Sequence, residues 1–339
     1  IFIRGDKYMD DSLNNNFYVG GDEYWQHYKN FSEFSDVMSP DQIKNLSLDD
    51  KVKIFNKFVF LVNIELSTYC NRKCTYCPMS MYNRKQQYMS EELLQKIISQ
   101  LKEVDYKAGI VLNFFNEPLL DVDLIEKIKY IRKNLPNAYI LFNSNGDFLT
   151  RELLENFFSV GLNLIIVTLH TNPEKEYIDF EKRSEMFNFL NKMNLSEYFD
   201  ERSEIEGKNI TLKISFSRYR QLNILCNNWQ IYGNDRGGVL TELSKEVRDM
   251  PCKNPFREIY IKYDGTITPC CNIYFNLNPI YGNLNSDSII DIYFSKNMIE
   301  FRKKLFSFSP KTGYCAFCNT PDNSNVESKE TRDYVLKML

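Results

Sequence analysis

From residue 58 to residue 217, short apolar runs alternate with amphipathic stretches, and this alternation constrains the fold more than any other feature of the chain. The runs are FVFLVNIEL (58–66), GIVLNFF (109–115), AYILFN (138–143), LNLIIVTLH (162–170) and NITLKISFS (209–217). Between them lie EELLQKIISQLKEV (91–104), DLIEKIKYIRKNL (123–135), TRELLENFFSVG (150–161) and EMFNFLNKM (185–193). The runs read as strands buried on both faces, and the intervening three- and four-residue apolar spacing reads as helices. Strands alternating with helices predict parallel strands joined by right-handed crossovers, in an open sheet or a barrel. Five strands before residue 220 are too few for a closed eight-fold barrel. The expected fold class is therefore α/β, a partial (β/α)6 TIM-like barrel.

The flanks differ in texture. Residues 1–55 are polar and rich in Asn and Asp, with a short helix expected near 40–47, and read as an N-terminal extension. Residues 56–245 form the expected barrel. Past 245, REIYIKYDGTITPC (257–270) reads as a β-hairpin turning at Asp264-Gly265, and IIDIYFSKNMIEFRKKL (289–305) as helical. Residues 246–339 are thus expected to form a small C-terminal β-hairpin/helix domain.

Hydrophobic residues make up 43% of the 339 residues and aromatics 14%, enough to fill a substantial core. A formal charge of −3 speaks against a basic nucleic-acid surface or a polybasic membrane binder. No apolar run reaches the roughly 18 residues of a membrane span, and no export signal is read. Nine cysteines are accordingly expected as thiolates in a reducing cytoplasm rather than as disulfides. His27 and His170 are the two histidines of the chain, too few for a Cys/His zinc site or a His-based triad. Cysteine must carry any metal chemistry.

The cysteines are grouped. Cys70, Cys74 and Cys77 form C-x3-C-x2-C directly after the first strand. Three thiolates on one loop can each hold an iron of a cubane [4Fe–4S] cluster, leaving a fourth iron open to a small molecule. Zinc would need a fourth ligand. A loop at the C-terminal end of a strand is also where parallel α/β folds build active sites. The second group is Cys252-x17-Cys270-Cys271-x43-Cys315-x2-Cys318. Four of its cysteines suffice for a second, saturated cluster, and a zinc ribbon is the alternative. Cys226, in ILCNNW, reads as a buried small hydrophobe.

With Tyr76 just before its last cysteine, the three-cysteine motif resembles the signature of the radical S-adenosylmethionine (SAM) superfamily. Phe115-Asn116-Glu117-Pro118 resembles the family's Gly-Gly-Glu-Pro segment, which contacts the methionine amino group; the glycines are replaced, and Glu117 and Pro118 match. Asn143-Ser144-Asn145-Gly146 resembles the family's Thr-Asn-Gly turn. Thr168 ends the fourth strand, where members often place a polar group near the ribose or methionine end of the cofactor. His170 lies near the expected cofactor, as an acid or base or as hydrogen-bonded support. Arg183 and Arg218 are candidates to pair with the cofactor carboxylate, against the commoner role of surface arginines. The resemblance implies SAM, a [4Fe–4S] cluster with one open iron, and an electron donor such as flavodoxin or ferredoxin. It further implies reductive cleavage to a 5′-deoxyadenosyl radical that abstracts hydrogen from a substrate.

The hairpin ending at Cys270 is similar to auxiliary-cluster domains of the SPASM and shorter twitch type. A full SPASM domain has more cysteines, so one auxiliary [4Fe–4S] cluster is implied here, on Cys252, Cys270, Cys315 and Cys318, with Cys271 spare. The spacing resembles twitch enzymes of the 2-deoxy-scyllo-inosamine dehydrogenase type, which oxidise a secondary alcohol of an aminocyclitol. A small polar substrate of the sugar or aminocyclitol class is therefore the expected partner, and a ribosomally made peptide the alternative. In Asn234-Asp235-Arg236-Gly237-Gly238, Arg236 is a candidate catalytic residue that binds or deprotonates substrate; a plain linking turn is the alternative. FRKKLF (301–306) reads as a helix surface rather than a nucleic-acid site.

Overall fold

The computed structural model describes residues 43–80, 84–170, 176–198, 200–232, 235–240, 246–249, 252, 254–273, 279–305 and 309–318. Most of the expected N-terminal extension, the start of the helix read near 40–47, Asn234 and the chain after 318 lie outside the described residues. An element unforeseen in the sequence comes next, helix α1 (Leu48–Phe58). Ser47 caps it, its side chain accepting from the Asp50 amide, and Asp49 and Asp50 sit in its first turn, where negative charge is favoured. The apolar run at 58 therefore opens as a helix end, and the strand starts only at Leu61. Phe55 is fully buried, edge-on to Tyr106 and Tyr293 with centroids 6.1 and 5.3 Å away.

The alternating units follow: β1 (Leu61–Ile64), α2 (Glu91–Glu103), β2 (Gly109–Val111), α3 (Leu124–Asn134), β3 (Tyr139–Ser144), α4 (Arg151–Ser159), β4 (Leu164–Thr168) and α5 (Asp179–Lys192). Ser90 and Thr150 cap α2 and α4 by accepting from the Leu93 and Leu153 amides. The next strands are β5 (Glu201–Ile205), β6 (Asn209–Ser217) and β7 (Arg220–Asn227). Of these the sequence reading contained only the run that became β6. The two residues between β6 and β7 are too few for a crossover, so the pair is antiparallel. It is β7 that takes the parallel place beside β4, from Leu164↔Gln221 to Thr168↔Leu225.

After α6 (Trp229–Tyr232) and α7 (Asn254–Arg257), β8 (Glu258–Ile261) and β9 (Thr266–Thr268) form the expected hairpin. Gly265 turns it at φ +83°, and Asp264 Oδ1 accepts from the Thr266 amide. Then come β10 (Gly282–Asn283), α8 (Ile289–Tyr293) and α9 (Lys296–Leu305). In α9, Lys303 and Lys304 are exposed but Arg302 is buried, so FRKKLF is not simply a solvated face.

The hairpin does not stand apart. β8 pairs in parallel with β1, from Leu61↔Glu258 to Ile64↔Ile261. One sheet results, ordered β10-β9-β8-β1-β2-β3-β4-β7-β6-β5, with its parallel centre running from β8 to β7. This is the expected partial barrel of α/β class, with one parallel strand supplied by the C-terminal region. One face of each central strand (Val62, Ile110, Ile140, Ile165, Leu222, Ile259) packs into the main core with α2, α3 and α4. The alternate residues, Asn63, Val111, Leu141, Ile166 and Asn223 among them, face a large cleft.

A chain ending at residue 245 would strip β8 from β1 and remove the Tyr293 ring from Phe55. It is expected to give no cooperative thermal transition by circular dichroism. A cooperative melt from that truncated chain would show that the sheet stands without β8.

Candidate functional site

The three-cysteine loop leaves and re-enters the sheet at one fixed point. Glu65, directly after β1, is fully buried and paired through both oxygens with Arg84, at 2.6 and 3.0 Å. Beyond it the Thr68 amide donates to the Gln87 carbonyl and the Met89 amide to that of Leu66, each at 2.9 Å. The loop is thus a closed excursion whose ends cannot drift. Within it the Cys77 amide donates to the Cys74 carbonyl at 2.9 Å, and the Arg72 amide points at Cys70 Sγ at 3.4 Å. Burial pushes all three thiols up, Cys70 to about 11, so taking up a metal–sulfur group would displace protons from them.

Glu117 joins this loop to the strand ends. Its amide donates to the Tyr69 carbonyl at 2.9 Å. Its buried carboxylate accepts from Ser144 Oγ (2.7 Å), the Asn145 amide (2.8 Å) and the Leu119 amide (3.1 Å). Burial raises its pKa, opposed by those hydrogen bonds. The turn after β3 also grips the cysteine loop from above. Asn145 Nδ2 donates to Asn71 Oδ1 at 2.8 Å, Asn71 Nδ2 to Asp147 Oδ2 at 2.7 Å, and Arg72 forks onto both Asp147 oxygens. Gly146 makes the turn possible: its φ is +77°, and a Cβ there would meet Val167 Cγ1 at 2.7 Å. Neither Asn71, Arg72 nor Asp147 was singled out from the sequence, although the first two lie inside the motif CNRKC.

The cleft beneath the loop has a volume of about 790 Å³. Tyr76, Asn116, Glu117, Asn143, Ser144, Asn145, Thr168 and His170 all line it, together with the three cysteines and Arg236. Tyr76 and His170 share a hydrogen bond through Nδ1, and Tyr76 stacks on Trp229 with centroids 4.6 Å apart. Burial depresses the His170 pKa to about 4, so its ring is neutral near pH 7. Trp229 also lines the cleft and escaped the sequence reading, where it appeared only as the end of an apolar segment. Asn116 Oδ1 accepts from the Phe114 amide, whereas its Nδ2 is buried without a partner.

Lower down, the inward residues of the strands sort by polarity. Val111, Tyr139, Leu141, Leu164 and Ile166 make an apolar strip along β2, β3 and β4. On the β1–β8 side lie Asn63, Glu258 and Tyr260, the last hydrogen-bonded to the Glu258 carboxylate. On the β7 side lie Gln221 and Asn223, the latter 7% exposed with a partnerless Oδ1.

The second cysteine group meets at one small enclosed cavity, lined by Cys252, Cys270, Cys315 and Cys318. Cys271 turns the other way and lines the main cleft. Arg236 bridges the two places: Nε donates to the Tyr76 carbonyl at 3.2 Å, and Nη1 to the Cys271 carbonyl and Asn272 Oδ1 at 3.3 and 3.2 Å. It occupies the left-handed region, as do Gly237 and Gly238, and the Asp235 carboxylate accepts from both glycine amides. Among the described residues, no three His, Cys, Asp or Glu side chains gather closely enough to hold a single metal ion.

Arg183 is not brought to the cleft. It lies on α5, 40% exposed, and its guanidinium is engaged by Glu204 of the edge strand β5. Arg218 sits in the β6–β7 link with its guanidinium over the Tyr219 ring and does not line the cleft either. No described helix is long and apolar enough to cross a membrane.

Glu117→Gln keeps the size of the side chain but turns a donor toward one of three protein donors. It is expected to lower stability by about 1–3 kcal/mol in denaturant unfolding of cofactor-free protein; unchanged stability would deny Glu117 its joining role. His170 resists a proton that the unfolded chain takes up, so its contribution is present above pH 6.5 and lost as pH falls toward 4. Over that window stability should fall by up to about 3 kcal/mol, and the slope should flatten in His170→Phe; an equal slope in both would contradict the assignment.

Residues 64–204 match the family model described as the radical SAM superfamily, and residues 252–319 that of the SPASM iron–sulfur cluster-binding domain. The chain is 25% identical over 284 residues to the S-adenosyl-L-methionine-dependent 2-deoxy-scyllo-inosamine dehydrogenase of Niallia circulans, spanning 83% of this chain and 100% of that one. Among solved structures it resembles BtrN in complex with AdoMet and 2-DOIA, with a TM-score of 0.57, 23% identity, and 77% of this chain and 93% of that chain covered. BtrN in an open conformation gives a TM-score of 0.52 at 21% identity, with 77% and 96% covered. These structural likenesses speak for the fold, a partial barrel closed on one side by a SPASM-type hairpin. The chain is an enzyme with a radical SAM domain over residues 64–204 and a C-terminal SPASM iron–sulfur cluster-binding domain over residues 252–319.

Proposed function

We propose that this enzyme oxidises a carbon of a small, polar, ring-shaped substrate of the sugar or aminocyclitol class. The observation that carries the reading is the polarity of the cleft floor. An apolar strip of Val111, Leu141 and Ile166 runs between two polar edges, Asn63, Glu258 and Tyr260 on one side and Gln221 and Asn223 on the other. A saturated ring bearing hydroxyl or amino groups has C–H faces and a hydrogen-bonding rim, which matches such a floor. The partnerless Asn223 Oδ1 would gain a donor on binding, and a buried acceptor left unpaired is costly. Similarity along the full length of the Niallia circulans dehydrogenase supports the same class.

Cys70, Cys74 and Cys77 fit the three protein ligands of a [4Fe–4S] cluster with one open iron, and Cys252, Cys270, Cys315 and Cys318 fit an auxiliary cluster. The donor sets are all sulfur, as the irons of such clusters require. Bound in the cleft, SAM and a reduced cluster would supply radical chemistry able to take hydrogen from an unactivated carbon. A flavodoxin or ferredoxin would supply the reducing electron.

The chain's own groups then hold and orient. Glu117 presents a buried carboxylate suited to the methionine ammonium, and the unpaired Asn116 Nδ2 a donor suited to an acceptor on the same cofactor. Asn143, Ser144, Asn145 and Thr168 offer polar atoms along the strand ends, and Tyr76 and neutral His170 a flat wall. Arg236 meets the cleft between the cysteine loop and the auxiliary segment, so a substrate hydroxyl there would lie against its guanidinium.

Anaerobic protein given a reductant and SAM should release 5′-deoxyadenosine, and Cys70→Ala, Cys74→Ala or Cys77→Ala should abolish the release. In a panel of aminocyclitols, sugars and peptides, a polyol should be oxidised, with KM raised about 10- to 100-fold in Asn223→Ala and Glu258→Gln. Turnover of peptides with every polyol ignored would overturn the substrate class.

A further inference from the structure

Arg302 is an uncommon kind of buried charge. It sits on α9 at 2% exposure, donating through Nε to the Pro255 carbonyl at 2.9 Å and through Nη1 to the Tyr293 carbonyl at 2.6 Å. Its guanidinium lies 3.8 Å from the Tyr293 ring centroid, and its Nη2 is buried with no partner. All its hydrogen bonds among the described residues go to neutral groups. A full positive charge withdrawn from water in this way is destabilising unless a negative charge lies near.

The cavity lined by the four cysteines of the second group lies beyond Pro255 and would supply that charge once it held a cluster. Phe301 and Leu305, on either side of Arg302 along α9, line it, as does Pro255, whose carbonyl Arg302 holds. The Leu305 carbonyl accepts from the Cys252 amide at 2.9 Å. A second cation lies on the segment that leads to Cys315 and Cys318. Lys311 is 4% exposed, its Nζ donates to the Ser309 carbonyl at 2.8 Å, and its amide donates to the carbonyl of Arg248, another lining residue. Lys311 stands four residues before Cys315 in the chain.

We infer that Arg302 and Lys311 raise the reduction potential of the cluster held by Cys252, Cys270, Cys315 and Cys318. The inference rests on the two-cluster reading given above. A [4Fe–4S] group with four thiolates is an anion, and gaining one electron makes it more negative. Buried positive charge, weakly screened, therefore favours its reduced form. Such a setting suits a cluster that receives an electron rather than one that only ties the chain together. Both are positioning residues: they act through the cluster's field and not on the substrate.

The test uses the full chain with Cys70, Cys74 and Cys77 replaced by alanine, so that only the auxiliary cluster is titrated. Its potential is followed by the EPR signal of the reduced form in wild-type, R302K, R302M and K311M backgrounds. R302M and K311M should each lower the equilibrium constant for one-electron reduction by about tenfold, a shift of about 59 mV to more negative potential. R302K should stay near wild type. A merely structural role would alter iron content without this ordering by charge. Unmoved potentials in the charge-removing variants, or an equal shift in R302K, overturn the inference alone; should R302M lose its iron, K311M decides. A wild-type background with no auxiliary cluster overturns the two-cluster reading and the inference with it.

Discussion

The four residues of β1 pair on one side with β8 and three of them on the other with β2, and the organisation of the site follows from that double pairing. β1 ends in the loop of Cys70, Cys74 and Cys77. β8 leads through its hairpin to Cys270 and Cys271. Because β9 runs back antiparallel to β8, Cys270 and Cys271 lie toward the Glu258 end of β8, opposite the end at which the cysteine loop leaves β1. A chain that carried its second cysteine group on a separate appendage would have two sites. Here one cleft reaches from one group toward the other, with Cys271 in its wall and Cys270 turned away into the second cavity.

Around that frame the protein spends its buried polar groups on rigidity. The Glu65–Arg84 pair fixes the base of the cysteine loop, Glu117 ties the loop to two strand ends, and Asp147 clamps Arg72 and Asn71 over it. Removing one partner from such a network leaves the other buried and unpaired, so the cost falls on the geometry of the site as a whole. Of the buried polar atoms without protein partners among the described residues, Asn116 Nδ2, Asn223 Oδ1 and Trp229 Nε1 belong to residues that line the cleft. Arg236, held between the two cysteine segments, makes their separation a fixed dimension of the active site.

The parts legible in sequence are those set by local pattern. Helices α2 to α4 follow from apolar residues three and four apart, and the β8–β9 hairpin from Asp264-Gly265. The three-cysteine motif and Glu117-Pro118 stand out because few chemistries use them. Pairings across long separations left no such mark: nothing in EIYI tells that it lies beside LVNI. Helix α1 hid because its stripe, Val52, Phe55 and Phe58, runs into the apolar run that follows. β5 carries mainly charged and polar residues, and β7 lay too close behind β6 to be read as a separate parallel strand. Among site residues, amides such as Asn223 have no distinctive spacing, and Trp229 gains its place only when α6 folds over Tyr76. Arg183 shows the converse error. A long cation after β4 is a reasonable anion binder until Glu204, on a strand not foreseen, takes its guanidinium.

The proposed function requires two iron–sulfur clusters, one of them with an iron left for the cofactor. Mössbauer spectroscopy of protein reconstituted with ⁵⁷Fe reads both statements at once. Two cubanes predict about eight irons per chain, with one iron site changing its isomer shift when SAM is added and the others unmoved. A single cluster, zinc without sulfide, or a spectrum indifferent to SAM would contradict it.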